Sequence, residues 1–316
     1  MKLMQAAPAS RGLSRRSVIR CTAAGAAAIV LGKVEAGAAA GPLLSAAHRP
    51  VTLGLTDATV RKELREDYAG TLRRIAAMGY THFGFRLAPY SDREPPEPSA
   101  EDKARMVRDC GMAVGVVRYG FACGVEEQVD VAAAIGASVM AYTAAPIFFS
   151  STPMGVATRA QFDAWLPELG RLAEAARAGG LTLAYHNHWW DHAPIGGEAP
   201  LSLIARTYPP GLVAFEIDLA WAYVGGADVL HLVKSLKERV VSLHLKDAIG
   251  DASLGPMQRL RLLGGGDMDF ARLLPEIDRT CHATGYVELD TTVDGMGDAL
   301  RAAETIRMIR GGRKIR

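Results

Sequence analysis

The run Leu183-Ala184-Tyr185-His186-Asn187-His188 decides the reading of this chain, because three later runs repeat its pattern: Phe215-Glu216-Ile217-Asp218, Ser242-Leu243-His244-Leu245-Lys246-Asp247 and Tyr286-Val287-Glu288-Leu289-Asp290. Each is a short β-rich apolar stretch that ends in metal-liganding residue types. Strand side chains alternate between faces. One parity therefore carries His186 and His188, then Glu216 and Asp218, then His244 and Lys246, then Glu288 and Asp290. Four successive strands aim carboxylates and imidazoles along the same side. In a closed parallel α/β barrel that side is the interior near the C-terminal mouth, where the active site sits. Buried His, Asp and Glu are costly unless paired or coordinated. That favours a divalent-metal site over four unrelated polar strand ends.

Working outward, eight apolar runs read as strands: 51–55, 81–85, 113–118, 138–143, 181–186, 213–218, 240–246 and 285–290. They recur about every 33 residues, close to the ~30 of one strand-helix-strand unit. Helical patterns lie between them. Leu64, Tyr68, Leu72 and Ile75 mark one apolar face. Phe162, Leu166, Leu169, Leu172 and Ala176 mark another, and Val229, Leu232, Val233 and Leu236 a third. Gly79, Gly111, Gly136 and Gly179 are placed as helix C-caps, and Ser99 with Asp102 as a capping box. Alternation of this kind predicts a single (β/α)8 barrel over residues 51–316. An open doubly wound sheet is the competing architecture. It lacks support because Leu55-Thr56-Asp57-Ala58, after the first strand, is no Gly-rich phosphate loop.

The first forty residues read differently. Ser14-Arg15-Arg16-Ser17-Val18-Ile19-Arg20 opens an alanine-rich apolar stretch, Ala23 to Leu31, and small residues follow at Ala36 to Ala40. This pattern predicts a twin-arginine signal over 1–40, a linker over 41–50, a folded export route and a periplasmic or extracytoplasmic location. The apolar run is too short for a stable membrane anchor. Cys21 precedes that run and follows Arg20, which is wrong for a lipoprotein site. Of 36 basic and 34 acidic residues, six basic and one acidic fall within 1–40, leaving 30 against 33 and a net charge of −3. No basic face is implied, which argues against nucleic acid. Cys110, Cys123 and Cys281 match no zinc or redox spacing and read as small buried hydrophobes.

Three stretches after strands break the rhythm: 87–98, rich in Pro and charge; 146–158, with Phe148, Phe149 and Met154; and 248–266, ending in Gly264-Gly265-Gly266. All belong at the barrel mouth, where loops set specificity. His48, His82 and His282 sit away from the strand C-termini and read as structural.

A set of motifs in shared order resembles the sugar phosphate isomerase/epimerase family of xylose-isomerase-like TIM barrels over about residues 51–310. They are Val51-Thr52-Leu53-Gly54-Leu55, Val60-Arg61-Lys62-Glu63-Leu64, Ala76-Ala77-Met78-Gly79-Tyr80, Tyr185-His186-Asn187-His188, Asp218-Leu219-Ala220-Trp221, His244-Leu245-Lys246-Asp247 and Gly264-Gly265-Gly266-Asp267-Met268-Asp269. The resemblance implies one divalent metal held by a Glu, an Asp, a His and a second Glu. Asp218, His244 and Glu288 match the last three. The first Glu is replaced by Ala184, and His186 or His188 stands in for it. Gly84 also departs from the acidic residue of many relatives, with Arg86 nearby.

Two His and two carboxylates suit Mn²⁺, Zn²⁺, Co²⁺ or Fe²⁺ better than Mg²⁺. The expected chemistry is proton transfer next to a metal-polarised carbonyl of a small sugar or keto-sugar. Glu288 is the expected ligand and base, Glu216 a second base or a partner of His244 or Lys246, and Lys246 a group binding an oxyanion or a substrate hydroxyl, or an ion-pair partner of Asp247 or Asp290. Trp189, Trp190 and Trp221 supply stacking faces for sugar C–H surfaces. Asn187 and Arg86 are further substrate candidates, with Asp191 and His192 close behind. Rival functions are a metal-dependent keto-sugar or cyclitol dehydratase or lyase, and a non-catalytic sugar-binding barrel. A DNA-repair endonuclease on the same fold is disfavoured by the charge. The expected partners are a carbohydrate and the twin-arginine translocase, and a homo-oligomer is compatible with the sequence.

Overall fold

Eight strands pair in parallel around a closed circle in the order β1-β10-β7-β6-β5-β4-β3-β2. They are β1 Thr52–Thr56, β2 His82–Arg86, β3 Ala113–Arg118, β4 Val139–Tyr142, β5 Thr182–His186, β6 Val213–Asp218, β7 Val240–Leu245 and β10 Thr284–Val287. Strands β8 Asp247–Ala248 and β9 Leu260–Arg261 form a separate antiparallel pair at the mouth. The computed structural model describes residues 52–88, 96–119, 125–143 and 145–312, with Val125 described by its main chain alone. The expected signal 1–40 and linker 41–50, with Cys21, His48, Cys123 and the middle of the 87–98 stretch, lie outside the described residues. Among the described residues no helix is long and apolar enough to cross a membrane.

Both faces of a barrel strand are covered, so its residues are apolar on both parities. Strand β6 is buried at every position. The outward parity packs against the helices. Helix Arg159–Ala178 buries Phe162, Leu166, Leu169, Leu172 and Ala176, the face the sequence marks, and adds Trp165 and Ala173. Thr158 starts it: its hydroxyl accepts from Gln161 N at 3.2 Å, and Gln161 Oε1 accepts from Thr158 N at 2.8 Å. The inward parity fills the barrel below the site with Tyr286, Val116 and Ala141.

Tyr286 explains two strand glycines. A Cβ at Gly54 would meet the tyrosine ring at 2.5 Å, and one at Gly115 would meet ring atom Cε1 at 2.8 Å. The hydroxyl accepts a hydrogen bond from Val116 N at 2.9 Å. Gly115→Ala is expected to cost about 2 kcal/mol or more, since a fully packed core has no slack for an added methyl. Denaturant unfolding would read it, and an unchanged midpoint would refute this account of the barrel floor.

Three expectations are corrected in detail. The first apolar helical face is split into Arg61–Glu66 and Tyr68–Ala77, because Asp67 turns extended (φ −152°, ψ 95°) and its carboxylate caps Gly70 N. Gly79, Gly111 and Gly136 take the left-handed conformation, but after Arg159–Ala178 it is Gly180 (φ 77°) that does so, with Gly179 at φ −80°. The 248–266 stretch is not all loop: it carries β9 and the short helix Pro256–Arg259.

Candidate active site

Strand ends set the side chains. Asp218 closes β6 and caps helix Leu219–Val224, its Oδ1 accepting from Trp221 N at 2.9 Å. That bond fixes the carboxylate, and its Oδ2 faces His244 Nδ1 at 3.4 Å and His186 Nε2 at 4.0 Å. One ligand atom each from His186, Asp218 and His244 fall within 4.8 Å of one another, and all three residues are buried. Asp218 Oδ2 and His244 Nδ1 are sealed from solvent without a partner in hydrogen-bond geometry. Two imidazole nitrogens and one carboxylate oxygen fit a divalent ion that keeps open positions for substrate.

Glu216 lies beneath this trio and orders it. Its Oε1 is 3.2 Å from His186 Nδ1 and 3.2 Å from His244 Nε2. A carboxylate on the far nitrogen of each ring leaves the near nitrogen to act as ligand. Ser242 Oγ donates to Glu216 Oε2 at 2.7 Å, and Arg118 Nη2 lies 3.3 Å from Oε1 and also against His244 Nε2. Burial pushes the Glu216 pKa up, but Arg118, His244 and the bonds from both histidines outweigh it and leave it well below the usual carboxylate range. Arg118 reaches β6 from β3 across a row of alanines: Arg118 pairs with Ala141, Ala141 with Ala184, and Ala184 with Ala214. Position 184, where the resemblance leads one to expect a Glu, thus belongs to the short side chains that Arg118 spans.

Above the trio Lys246 is enclosed by carboxylates: its Nζ is 2.9 Å from Asp218 Oδ2, 2.8 Å from Glu288 Oε2 and 2.6 Å from Asp290 Oδ2. Burial pulls its pKa down, but Asp218, Asp290 and Glu288 raise it well above the ordinary lysine value. Glu288 follows β10 and accepts from Thr56 Oγ1 at 3.3 Å, and its Oε2 is 2.8 Å from His244 Nδ1. Burial raises Glu288, yet His244 and Lys246 hold it ionised, well below the usual range. His244 is pushed down by burial but raised well above the usual histidine value by Glu288 and Glu216. His188 behaves oppositely: burial, then the neighbouring His186, keep it neutral. Its ring stacks on Trp190 (4.5 Å between centroids, 9°) and faces Trp221 at 5.8 Å.

A cavity of about 500 Å³ opens over these groups. His186, His188, His244, Glu288 and Arg86 line it, as do Trp189, Trp190 and Trp221. Of the two histidines, His186 joins the trio, while His188 Nδ1 is sealed and unpartnered. Arg86 is buried and bound to Glu97 at 3.3 Å, with Asp57 at 3.9 Å. Glu216 and Lys246 sit beneath the cavity surface rather than on it. Expected at the substrate, Asn187 instead ties β5 to β6: its Oδ1 accepts from Asp218 N at 2.8 Å and its Nδ2 donates to Asp218 O at 3.2 Å. Asp191 caps the turn after β5, accepting from His188 N at 2.7 Å and Tyr185 Oη at 2.8 Å, and burial lifts its pKa to about 7. Arg118, Arg61, Asp57, Thr143 and Met257 also line the cavity without being singled out by the sequence. An arginine closing an otherwise apolar strand was the available signal for Arg118.

His192, 3.0 Å from Asn187 Nδ2, is held down at about 4 by burial against a weaker pull from Asp218. The folded state therefore resists a proton that the unfolded chain takes up from pH 6.5 downward. Stability is lost as pH falls through that window. His192→Gln is expected to flatten the fall in unfolding free energy between about pH 6.5 and 4. Matching slopes in denaturant titrations of both proteins would refute it.

No protein-family model matches the chain, and no curated protein sequence does. Solved structures share its fold. A sugar phosphate isomerase/epimerase from Parabacteroides distasonis ATCC 8503 superposes with a TM-score of 0.62 at 20% identity, covering 83% of this chain and 96% of that one. An L-ribulose 3-epimerase gives 0.59 at 17% identity over 83% and 95%. The IOLI protein, whose structure holds a zinc atom, gives 0.61 at 13% identity over 84% and 100%. The fold is thus that of the xylose-isomerase-like TIM barrels.

Proposed function

We propose that this protein is a divalent-metal-dependent isomerase or epimerase of a small sugar or keto-sugar. The observation that carries this reading is the buried His186–Asp218–His244 trio, whose ligand atoms converge within 4.8 Å beside a cavity walled by an ionised Glu288 and a neutral His188. Sugar isomerases and epimerases among the structural neighbours, and the zinc in one of them, support it. When bound, a Zn²⁺, Mn²⁺ or Co²⁺ ion supplies polarisation of the substrate carbonyl oxygen. Glu288, on the cavity wall, takes the proton from the carbon next to that carbonyl. Lys246 and Thr56 hold the Glu288 carboxylate in place. His188, from a strand end separated from β10 by β6 and β7, is the second proton-handling group. Glu216 orients the two ligand histidines and stays out of the proton path. Trp189 stacks on the sugar's C–H face and keeps water from the reacting carbon, while Trp221, expected at the substrate, is 1% exposed and packs beneath Lys246, His188 and Trp189.

The test is incubation of metal-loaded protein with a panel of ketoses and aldoses in D₂O. Deuterium at the carbon next to the carbonyl, dependent on added metal, is the expected result. A protein that binds no divalent ion after reconstitution, and exchanges no proton, would end this reading. Position 184 favours a second one: with Ala184 in place of a carboxylate, a dehydratase or lyase needs one base fewer than a two-base epimerase. Loss of water from the substrate, rather than a new isomer, would select it. The Ser14–Arg20 pattern supports export of the folded protein by the twin-arginine translocase to the periplasm. Cell fractionation would test this, and retention of the full chain in the cytoplasm would count against it.

A further inference from the structure

We infer that the cavity mouth is a subsite for an apolar group, an aryl or alkyl aglycone, carried by a keto-sugar substrate whose carbonyl lies away from the anomeric carbon; this rests on the keto-sugar reading above. The cavity is divided by polarity. Its floor is charged, with His186, His244, Glu288 and Arg118 buried there and Asp290 exposed at the rim. Its mouth carries an apolar cluster beside Arg61 and Asp290: Phe149, Met154 and Met257 line it and are 55%, 45% and 42% exposed. Only three other large hydrophobics among the described residues are exposed to a comparable degree: Val156, Val293 and Leu300. Half of that small set therefore meets at one opening, and contiguous exposed apolar surface at a cavity marks a binding surface.

These side chains are held out by braced segments. In the 146–158 loop the neighbouring Phe148 is buried and stacks on Trp190 (6.0 Å, 18°). Ser151 Oγ donates to Phe148 O at 2.7 Å and accepts from Val156 N at 3.1 Å. Gly155, at φ +91°, lies so close to the tryptophans that a Cβ would sit 2.9 Å from Trp190 Cε3 and 3.2 Å from Trp189 Nε1. The loop is thus packed down onto the aromatic wall while Phe149 and Met154 point away from the core. From the facing side, Met257 rides on Pro256–Arg259 between β8 and β9. Arg259 pins that segment by donating to Ile249 O at 2.9 Å and to Val224 O at 3.2 Å. Pre-ordered apolar groups bind without a further ordering cost.

Size points the same way. A cavity of about 500 Å³ belongs to the class that holds drug-sized ligands, ~300–1,000 Å³, and a lone monosaccharide is small for it. A free sugar seated on the charged floor would present hydroxyls to Phe149, Met154 and Met257. A sugar bearing an apolar group would bury that group against them and gain from its removal from water. The continuity of mouth and floor within one cavity is what selects a substituent of the substrate over a separate molecule.

The experiment compares full-length protein with a Phe149→Ser/Met257→Ser variant. Calorimetry would measure binding of methyl and phenyl glucosides, galactosides and xylosides. At least one phenyl glycoside is expected to bind wild type roughly tenfold or more tightly than its methyl counterpart, as about 100 Å² of buried ring surface allows. In the variant that preference is expected to shrink to about threefold or less. Zn²⁺ affinity of the same preparations checks that the variant is folded. Equal affinities across every methyl and phenyl pair would overturn the inference, and so would a phenyl preference that survives in the variant. Binding is read without turnover. Failure here with proton exchange intact would therefore remove the aglycone alone, while loss of metal binding and exchange would remove the isomerase.

Discussion

His244→Ala is expected to abolish divalent-metal binding and to lower substrate proton exchange by about a thousandfold or more. His244 lies between the rest of the trio, the carboxylate beneath it and the proposed base. Its Nδ1 faces Asp218 and Glu288, and its Nε2 faces Glu216 and Arg118. Removing the ring takes away one of three candidate ligand atoms and one of the three charges that keep Glu288 ionised, with His244 ahead of Lys246 and Arg118. Burial then raises the Glu288 pKa unopposed by His244, so the ionised form of the proposed base is less favoured at the same time as the metal is lost. Glu216→Gln is the graded comparison. It leaves the trio's ligand atoms in place but replaces the acceptor shared by His186 and His244 with an amide. Such supporting partners are worth roughly 10–100-fold in metal affinity. Metal titration of the two variants, with proton exchange read alongside, should therefore give complete loss and partial loss. If Glu216→Gln lost nothing, Glu216 would not be orienting the histidines. If His244→Ala kept full affinity, the trio would be the wrong ligand set.

Period and parity carried the fold. Apolar runs about 33 residues apart predict eight strands, and eight close the barrel, because a strand buried on both faces must read as an apolar run. The same parity rule places His186, Asp218, His244 and Glu288 around one space, since adjacent parallel strands in register bring equal parities to the same side. What parity leaves open is depth. Glu216 and Asp218 share a face, but Glu216 lies one layer lower, under the histidines. Asn187 has the opposite parity to His186 and His188, and its short amide meets the main chain of β6 instead of the cavity. Arg118 escaped attention for a related reason. Its reach across Ala141 and Ala184 depends on how strands pair, and pairing is a property of the closed sheet. The β8–β9 hairpin was likewise invisible: two-residue strands have no period to detect.

Lys246→Met is expected to destabilise the metal-free protein by about 3–5 kcal/mol near neutral pH, and added metal is expected to restore most of that loss. The lysine is fully buried, and carboxylates of Asp218, Glu288 and Asp290 all approach its ammonium within 2.9 Å. Without that charge, burial, already the largest influence on Asp218 and Glu288, is opposed less and disfavours their ionised forms more. The sign of the pH dependence follows. In wild type both pKa values are depressed, so their contribution is present above the ordinary carboxylate range and is lost as pH falls through the folded-state values. In the variant the depression is smaller, because only His244 and its neighbours still oppose burial, and the two proteins should converge in acid, where the carboxylates are protonated in each. A divalent ion on the trio would repair the same deficit from the other side, because Asp218 Oδ2 belongs both to the lysine and to the ligand set. Zn²⁺ should therefore raise the unfolding midpoint of Lys246→Met more than that of wild type. Equal shifts in the two proteins would show that the lysine and the metal do not share Asp218. A variant as stable as wild type at neutral pH without metal would show that the carboxylates never needed the ammonium.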